Sequence, residues 1–506
     1  MMKRIVRLWV PIIVFLVLFL TSCSGPRSDL GAGASTDRTI DVTLLQLNDV
    51  YEITPVQGGK WGGLARVASL RNQLLAENPN TYTFIAGDFF SPSALGTARV
   101  DGERLAGTQM VAALNALGLD FATFGNHEFD ISKEQFYQRL SESRFMYVSN
   151  NVFDEDGKPF PGVQTDVVIK VPGQPGDTLR IGLVGVTIDS NPKDYVHYTD
   201  AVEEAKKQVS AYQGRTDAIV AVTHLALAED MKLAEEIPDL DLIMGGHEHE
   251  NILVLRGADL TPIVKADANA RTVYVHRLRF NPQTGDLDIE SNIRFITDAL
   301  PEDAGVARVV DDWLGIAFGG FRASGLKPAQ PVVDLPEPLD GLESSVRNRS
   351  TTLTDVIADA MRHVADGAEL AVFNGGSIRI DDVLQPGALI EYDVIRILPF
   401  GGGVVSVDMK GSLLQRVLTQ GVDNRGTGGF LQHANVDREG STWRVNGRPI
   451  DGDDIYRVAI NDFLLTGNEA NLDYLRLDNP DIQKIAEHGD IRLAVIAELK
   501  RRYGGN

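Results

Sequence analysis

Five times between Ile40 and His249, an apolar β-type run gives way to a short cluster of hard-donor side chains, most of them with glycine alongside. The clusters are Leu47-Asn48-Asp49-Val50-Tyr51, Gly87-Asp88, Gly125-Asn126-His127-Glu128-Phe129-Asp130, Thr223-His224 and Gly245-Gly246-His247-Glu248-His249. Helical periodicity is predicted between several of the runs, over residues 63–76, 105–117, 133–142, 201–212 and 228–236. Strands alternating with helices imply βαβ units and a sheet covered on both faces. In such sheets, ligands bind beyond the carboxyl ends of the strands, which is where the clusters fall.

Carboxylate, amide and imidazole donors suit Mn, Zn or Fe, and the clusters contain no thiolate. Each cluster is weak alone: a Gly-Asp after a strand is ordinarily a turn, and a lone Thr-His ordinarily a core or surface histidine. Gly-His-x-His is stronger, because side chains two residues apart on an extended segment point the same way. Four of the nine histidines fall inside the five clusters.

The 506 residues carry 48 Lys+Arg against 70 Asp+Glu, a formal charge of −22. A nucleic-acid polymer is therefore excluded as the main partner, since phosphate-backbone binding needs a basic face. A small phosphorylated substrate is not excluded, because a bound divalent metal reverses the local field. At the start, Lys3, Arg4 and Arg7 precede an apolar run too short for a comfortable transmembrane helix, which needs about 20 residues. Residues 1–22 read as a secretory leader. Leu20-Thr21-Ser22-Cys23 resembles a bacterial lipobox, with Cys23, the sole cysteine, as the lipid-attachment site. Residues 23–39 read as a flexible tether. These features imply a lipoprotein of the bacterial cell envelope, held to the membrane by its lipid alone.

Strand patterns dominate from Ile252 to Ile296, and a helical stretch follows near residues 304–318. The Pro-rich residues 327–338 mark a boundary, and a second mixed α/β unit is expected from about Leu339. Its landmarks are a predicted helix over 353–365, strands over 369–373 and 403–409, and a helix over 412–420.

The ordered set Asp-x-(His), Gly-Asp, Gly-Asn-His-Glu, Thr-His and Gly-His-x-His is similar to the calcineurin-like metallophosphoesterases. More narrowly, the chain resembles the bacterial 5'-nucleotidase/UDP-sugar hydrolase family. Gly62-Gly63-Leu64-Ala65-Arg66 carries the likeness in the first unit. Asn374-Gly375-Gly376-Ser377-Ile378-Arg379, Leu398-Pro399-Phe400-Gly401-Gly402, Gly429-Phe430-Leu431-Gln432 and Asn461-Asp462-Phe463 carry it in the second. The resemblance implies a four-layer α/β/β/α sandwich over residues 40–300. It also implies a linker helix and hinge over 301–338, and a substrate-binding α/β domain over 339–506. Two metal ions, divalent or of mixed valence, would be bridged by Asp88. Asn126, His224 and His247 would complete one site, and Asp49 and His249 would belong to the other. The ions would activate a bridging hydroxide for in-line attack on phosphorus. His127, oriented by Asp130, would serve the leaving or phosphoryl oxygen. Asp130 also suits a helix N-cap, and the two roles are compatible.

One departure matters: the family's Asp-x-His is here Asp49-Val50-Tyr51. Tyr51 has three open roles: a phenolate ligand favouring ferric iron, a hydrogen-bonding group beside a weaker site, or a space-filling ring. For the substrate, the resemblance implies Asn374 and Arg379 as polar contacts and Phe430 as one base-stacking aromatic, with ordinary core as its alternative. The second aromatic is open between Tyr474 and Phe463, because the usual Gly-Gly-Asp-Gly loop is replaced by residues 467–474. The leading expectation is hydrolysis of 5'-nucleotides or related phosphoesters. Cyclic-nucleotide, nucleotide-sugar or sulfur-ester hydrolysis, and a non-catalytic nucleotide- or metal-binding lipoprotein, are the alternatives.

Overall fold

The computed structural model describes residues 38–505. The expected leader, the Cys23 attachment site and nearly all of the tether lie outside the described residues.

The first half is built on two six-stranded sheets. One holds β1 (Ile40–Leu47), β2 (Thr81–Ala86), β3 (Phe121–Thr123) and β4 (Met146–Tyr147) in parallel. The other holds β5 (Val167–Pro172), β6 (Thr178–Thr187), β7 (Ala218–His224), β8 (Leu242–Gly245), β9 (Ile252–Arg256) and β10 (Thr261–Lys265). There β6, β7, β8 and β10 run parallel, with β5 and β9 antiparallel at the edges. The chain then returns to the first sheet as β11 (Thr272–Phe280) and β12 (Leu287–Phe295), so that its order is β12-β11-β1-β2-β3-β4.

Strand alternation explains the layering. Leu44, Phe84, Val220 and Met244 point between the sheets, into one apolar cluster. Their neighbours Leu45 and Ile85 point outward, in the cluster that covers the first sheet with α1 (Leu64–Glu77), α2 (Thr108–Leu117) and α3 (Lys133–Glu142). Ile219 and Ile243 point outward from the second sheet, against α4 (Ala201–Tyr212) and α5 (Leu227–Glu236). Strands buried on both faces read as continuous apolar runs, and their helices supply the outer layers. The arrangement is the four-layer α/β/β/α sandwich.

Helix α6 (Ala304–Ala323), capped by Asp303, packs against α1 and α2. The Pro-rich stretch contains a strand, β13 (Pro331–Leu335), paired with β15 (Gly387–Ile390). Pro331 stands at the strand's first position, where a missing N–H is tolerated. The second half also contains α7 (Thr352–Val364), β14 (Leu370–Asn374), α8 (Glu391–Ile397), β16 (Gly403–Lys410), α9 (Gly411–Asp423), β17 (Leu431–Ala434), β18 (Ile455–Asn461), β19 (Ile482–Asp490) and α10 (Ile491–Tyr503). Its five-stranded sheet runs β17-β14-β18-β16-β19.

Phe124, Phe129, Phe136 and Phe160 pack ring against ring beneath the loop that follows β3. Phe136→Ala is expected to cost about 3–5 kcal/mol, read as a lowered thermal midpoint. Leu253→Ala, on a side chain 49% exposed, should leave the midpoint within error.

Candidate active site

The carboxyl ends of β1, β2, β3, β7 and β8 converge on one spot between the two sheets, and all five polar clusters meet there. Asp49, Asp88, His247 and His249 adopt positive φ angles of 52°, 56°, 89° and 58°. Left-handed backbone in non-glycine residues costs on the order of 1–3 kcal/mol each, and it gathers where geometry serves function. Close approach of the loops also needs two glycines. A Cβ on Gly125 would lie 2.1 Å from Asp88 Oδ1, and one on Gly246 would lie 2.3 Å from the Ala86 carbonyl.

Asp88 Oδ1 accepts the His127 backbone N–H at 2.8 Å, and Asp88 Oδ2 lies 3.3 Å from His224 Nε2. Asp49 Oδ2 accepts the Asn48 side chain at 2.8 Å and the His247 backbone N–H at 2.9 Å. The His224 Nδ1–H donates to the Ala86 carbonyl at 2.8 Å, and its Nε2 is buried without a hydrogen-bond partner among the described residues. The buried Asn126 Oδ1 is likewise unpartnered among them. The rings of His224 and His247 are 5.4 Å apart. Donor atoms of Asp49, Asp88 and His249 all lie within 4.8 Å of one another.

This donor set fits metal ions on two independent grounds. Unpartnered buried polar atoms are rare, and here one is an amide oxygen and another an imidazole nitrogen 3.3 Å from a carboxylate oxygen. The charge balance is also short of a cation. Burial opposes charge on His224, yet the Asp88 and Asp49 carboxylates raise its pKa to about 9. Burial likewise opposes ionisation of Asp88, but His224 and His127 hold it far below the usual carboxylate range. Burial and the neighbouring His224 push His247 down to about 4.

His127 Nδ1 lies 2.6 Å from Asp130 Oδ2. Asn191 donates to the other Asp130 oxygen at 2.9 Å and to the Asn126 carbonyl at 2.8 Å. Asp130 is not the cap of α3. Ser132 takes that position in a capping box with Gln135, and Asp130 stays committed to the imidazole.

Three supporting residues have no role in the sequence reading. Glu128, fully buried, accepts the backbone N–H groups of Asp88 (2.8 Å), Phe89 (2.7 Å), Phe90 (3.1 Å) and Gly125. Burial and the Asp88 carboxylate push its pKa up to about 7, against those hydrogen bonds. Lys265, also fully buried, pairs with Asp230 at 2.7 Å and with Glu248. It also donates to the carbonyls of Leu225 and Gly246 at 2.7 and 2.8 Å, which fixes the loops after β7 and β8. Asp381, from the second half of the chain, accepts His249 Nδ1–H at 2.7 Å. The only advance signal for Glu128 is its place inside Gly-Asn-His-Glu, and Lys265 is the one charge ending an otherwise apolar strand.

Beside the His127–Asp130 pair opens a cavity of about 730 Å³. Asp130, Arg347, Arg379, Phe400, Phe463 and Glu469 are among the residues that line it. Asn374 also lines it, donating to Glu469 at 2.7 Å while its Oδ1 accepts from Ser377 and Asn461. Arg379 Nε is buried without a partner among the described residues, and its guanidinium sits 5.7 Å from the Phe400 ring centre.

Two of the aromatics expected from the sequence stand apart from this cavity. Phe430 is 6% exposed, covered by Arg425, and does not line the cavity. Its carbonyl instead accepts the Gly375 N–H, holding the Asn374-Gly375-Gly376 turn. Tyr474 lies under the Arg416 guanidinium, against the second domain's core, and also misses the cavity. The exposed rings that do line it are Phe400 and Phe463, at 43% and 42%. Phe400 sits between Pro399 and three glycines, a run that cannot bury a large ring locally.

Residues 42–251 match the calcineurin-like phosphoesterase family, and residues 331–474 match the 5'-nucleotidase C-terminal domain. The chain is 25% identical over 518 residues to the trifunctional nucleotide phosphoesterase protein of Bacillus subtilis, covering 87% of this chain and 34% of that one. It therefore spans about a third of that relative. Human 5'-nucleotidase is 23% identical over 495 residues, covering 85% of this chain and 84% of its own. The crystal structure of a 5'-nucleotidase precursor from Thermus thermophilus superposes with a TM-score of 0.73 at 24% identity, over 91% of this chain and 96% of that one.

Glu128→Ala should release the loops after β2 and β3 together. The expected result is a 10–100-fold loss of metal affinity, measured by competition with a chromophoric chelator, with Glu128→Gln intermediate.

Proposed function

Because the chain belongs to the calcineurin-like phosphoesterases that carry a 5'-nucleotidase C-terminal domain, we propose that it is an envelope-anchored, metal-dependent phosphohydrolase acting on 5'-nucleotides. The observation that carries this reading is the cavity joining Asp130 to Phe400 and Phe463. Its lining gathers the Asp130 carboxylate, which is paired with His127, and two exposed aromatic rings around one space. That combination of chemistries fits a phosphate linked to a base.

Asp49, Asp88, Asn126, His224, His247 and His249 would hold two metal ions, with Asp88 shared. Bound there, such ions supply positive charge to phosphoryl oxygens and acidify water. The remaining work belongs to side chains. The Asp130 carboxylate accepts the hydrogen bond of His127 Nδ1–H, so Nε2 is the ring nitrogen left for the substrate. An imidazolium there stabilises charge on the leaving or phosphoryl oxygen. The Arg379 guanidinium, whose Nε is buried without a partner among the described residues, suits an anionic oxygen bidentately. Phe400 and Phe463 offer flat apolar faces to the base, and the Glu469 carboxylate suits sugar hydroxyls.

Phosphate release from AMP with Mn, Zn or iron supplied is the direct test. Asn126→Ala should lower kcat by at least about 100-fold, on the scale of one lost transition-state contact. Phe463→Ala should raise KM for AMP about tenfold, since stacking contributes about 1–3 kcal/mol per base. KM for glycerol phosphate, which has no ring, should hardly change. Tight nucleotide binding with no turnover on any metal would favour the non-catalytic lipoprotein instead.

Anchoring rests on the Leu20-Thr21-Ser22-Cys23 sequence. No helix among the described residues is long and apolar enough to cross a membrane. Cys23→Ala should move the protein from the membrane fraction to the soluble fraction, and unchanged fractionation would refute lipid attachment.

A further inference from the structure

Asn191 stands in the loop that follows β6, in the second sheet, while His127 and Asp130 stand on the loop after β3, in the first. Its side-chain amide reaches across: Nδ2 lies 2.9 Å from Asp130 Oδ1 and 2.8 Å from the Asn126 carbonyl. A carbonyl and a carboxylate only accept, so the orientation of the amide is forced. Among the described residues Asn191 is the one donor to Asp130 Oδ1. The other oxygen, Oδ2, accepts His127 Nδ1–H at 2.6 Å, with the Ser91 hydroxyl farther off at 3.4 Å. Each Asp130 oxygen thus has one close donor, and the two donors come from loops of different sheets.

The loop that carries Asn191 is itself held. Val196–Tyr198 pair antiparallel with Val152–Asp154. The rings of Tyr195 and Tyr198 stand 6.5 and 6.0 Å from the ring of Phe129, inside the turn that carries His127 and Asp130. A carboxylate with one donor can still rotate about its last bond, and a second donor from a packed loop removes that freedom. The choice of an amide also matters. A Lys or Arg in its place would pair with Asp130 outright and draw the carboxylate from His127, whereas a neutral donor fixes one oxygen and leaves the charge to the imidazole.

We propose that Asn191 is the positioning residue of the His127–Asp130 pair: it fixes the carboxylate that aims His127 Nε2 at the leaving oxygen, and so lets the protein cleave esters of weakly acidic alcohols, the nucleoside 5'-hydroxyl among them. The proposal rests on the hydrolase reading and deepens it. As the P–O5' bond breaks, its electron pair passes to O5', which takes the Nε2 proton. The attacking water forms the new P–O bond and gives up a proton to solvent, from which the imidazole recovers its own. An alcohol leaves poorly without that proton, whereas nitrophenol is acidic enough to leave as its anion. A misplaced His127 therefore penalises the first class of ester and spares the second.

The test assays the metal-loaded full chain on AMP and on p-nitrophenyl phosphate, with metal content and thermal midpoint recorded for each variant. Asn191→Ala should lower kcat for AMP at least about tenfold, with KM for AMP and kcat for p-nitrophenyl phosphate within about twofold of wild type. Asn191→Asp, the same size as asparagine but with an oxygen turned toward two acceptors, should do the same, and it keeps the test open if Asn191→Ala folds poorly. Added to Asp130→Ala, Asn191→Ala should cost less than about twofold more, because both act through one imidazole. Equal losses on both esters, no loss on AMP, or full additivity with Asp130→Ala would overturn the positioning role and leave the hydrolase reading in place. Wild type that takes up metal and cleaves neither ester would overturn both.

Discussion

Glu128 is fully buried, yet it is surrounded by peptide N–H groups rather than by a cationic side chain. Those N–H groups belong to two loops, one after β2 and one after β3. A single carboxylate thus replaces the sheet hydrogen bonds that the backbone loses when it leaves the strands. Buried polar backbone must be paired, and Glu128 pairs four such groups at once. Asp88 and Asn126 inherit their positions from it, since each lies within two residues of a bonded N–H.

The second sheet uses the opposite charge for the same task. Lys265 donates to carbonyls in the loops after β7 and β8, beside His224 and His247. Its pairing with Asp230 and Glu248 keeps a buried ammonium tolerable. Between the two sheets, Gln46 donates to the carbonyls of Gly245 and Val264 at 3.0 and 2.8 Å, and Asn48 donates to the Ala266 carbonyl at 2.9 Å. These contacts lock the sheets in register where the donors meet. The site can therefore carry four left-handed non-glycine residues without loosening.

The second half of the chain reaches this centre through polar contacts. Asp381 holds His249, the Tyr392 hydroxyl donates to Glu52 at 2.8 Å, and Gln57 donates to Asp382 at 2.6 Å. Glu52 and Gln57 lie just beyond Asp49 and Tyr51. The loop that carries Asp49 and Tyr51 is thus also a loop that grips the second half of the chain. Any motion between the halves acts directly on His249 and on the segment from Asp49 to Gln57.

Local chemistry made the strands, most helices and the donor set readable from residues alone. An apolar run followed by glycine and a hard donor is a short-range pattern, and α3 and α4 match their predicted spans at Lys133–Glu142 and Ala201–Tyr212. His127 and Asp130 are three residues apart, so their pairing also needed no long-range information. What the residues alone could not assign depends on packing across the chain. Phe430 and Phe400 are both phenylalanines beside glycines, and only the folded chain covers one with Arg425 and leaves the other facing the cavity. Asp381 meets His249 across 132 residues, and Lys265 reaches Leu225 across 40. The sequence by itself determined which donors stand at the strand ends, because strand termini and turns are local. Tertiary structure alone decided which side chains support those donors and which rings face the cavity, because burial and partnership are set by surfaces that meet only when the chain is folded.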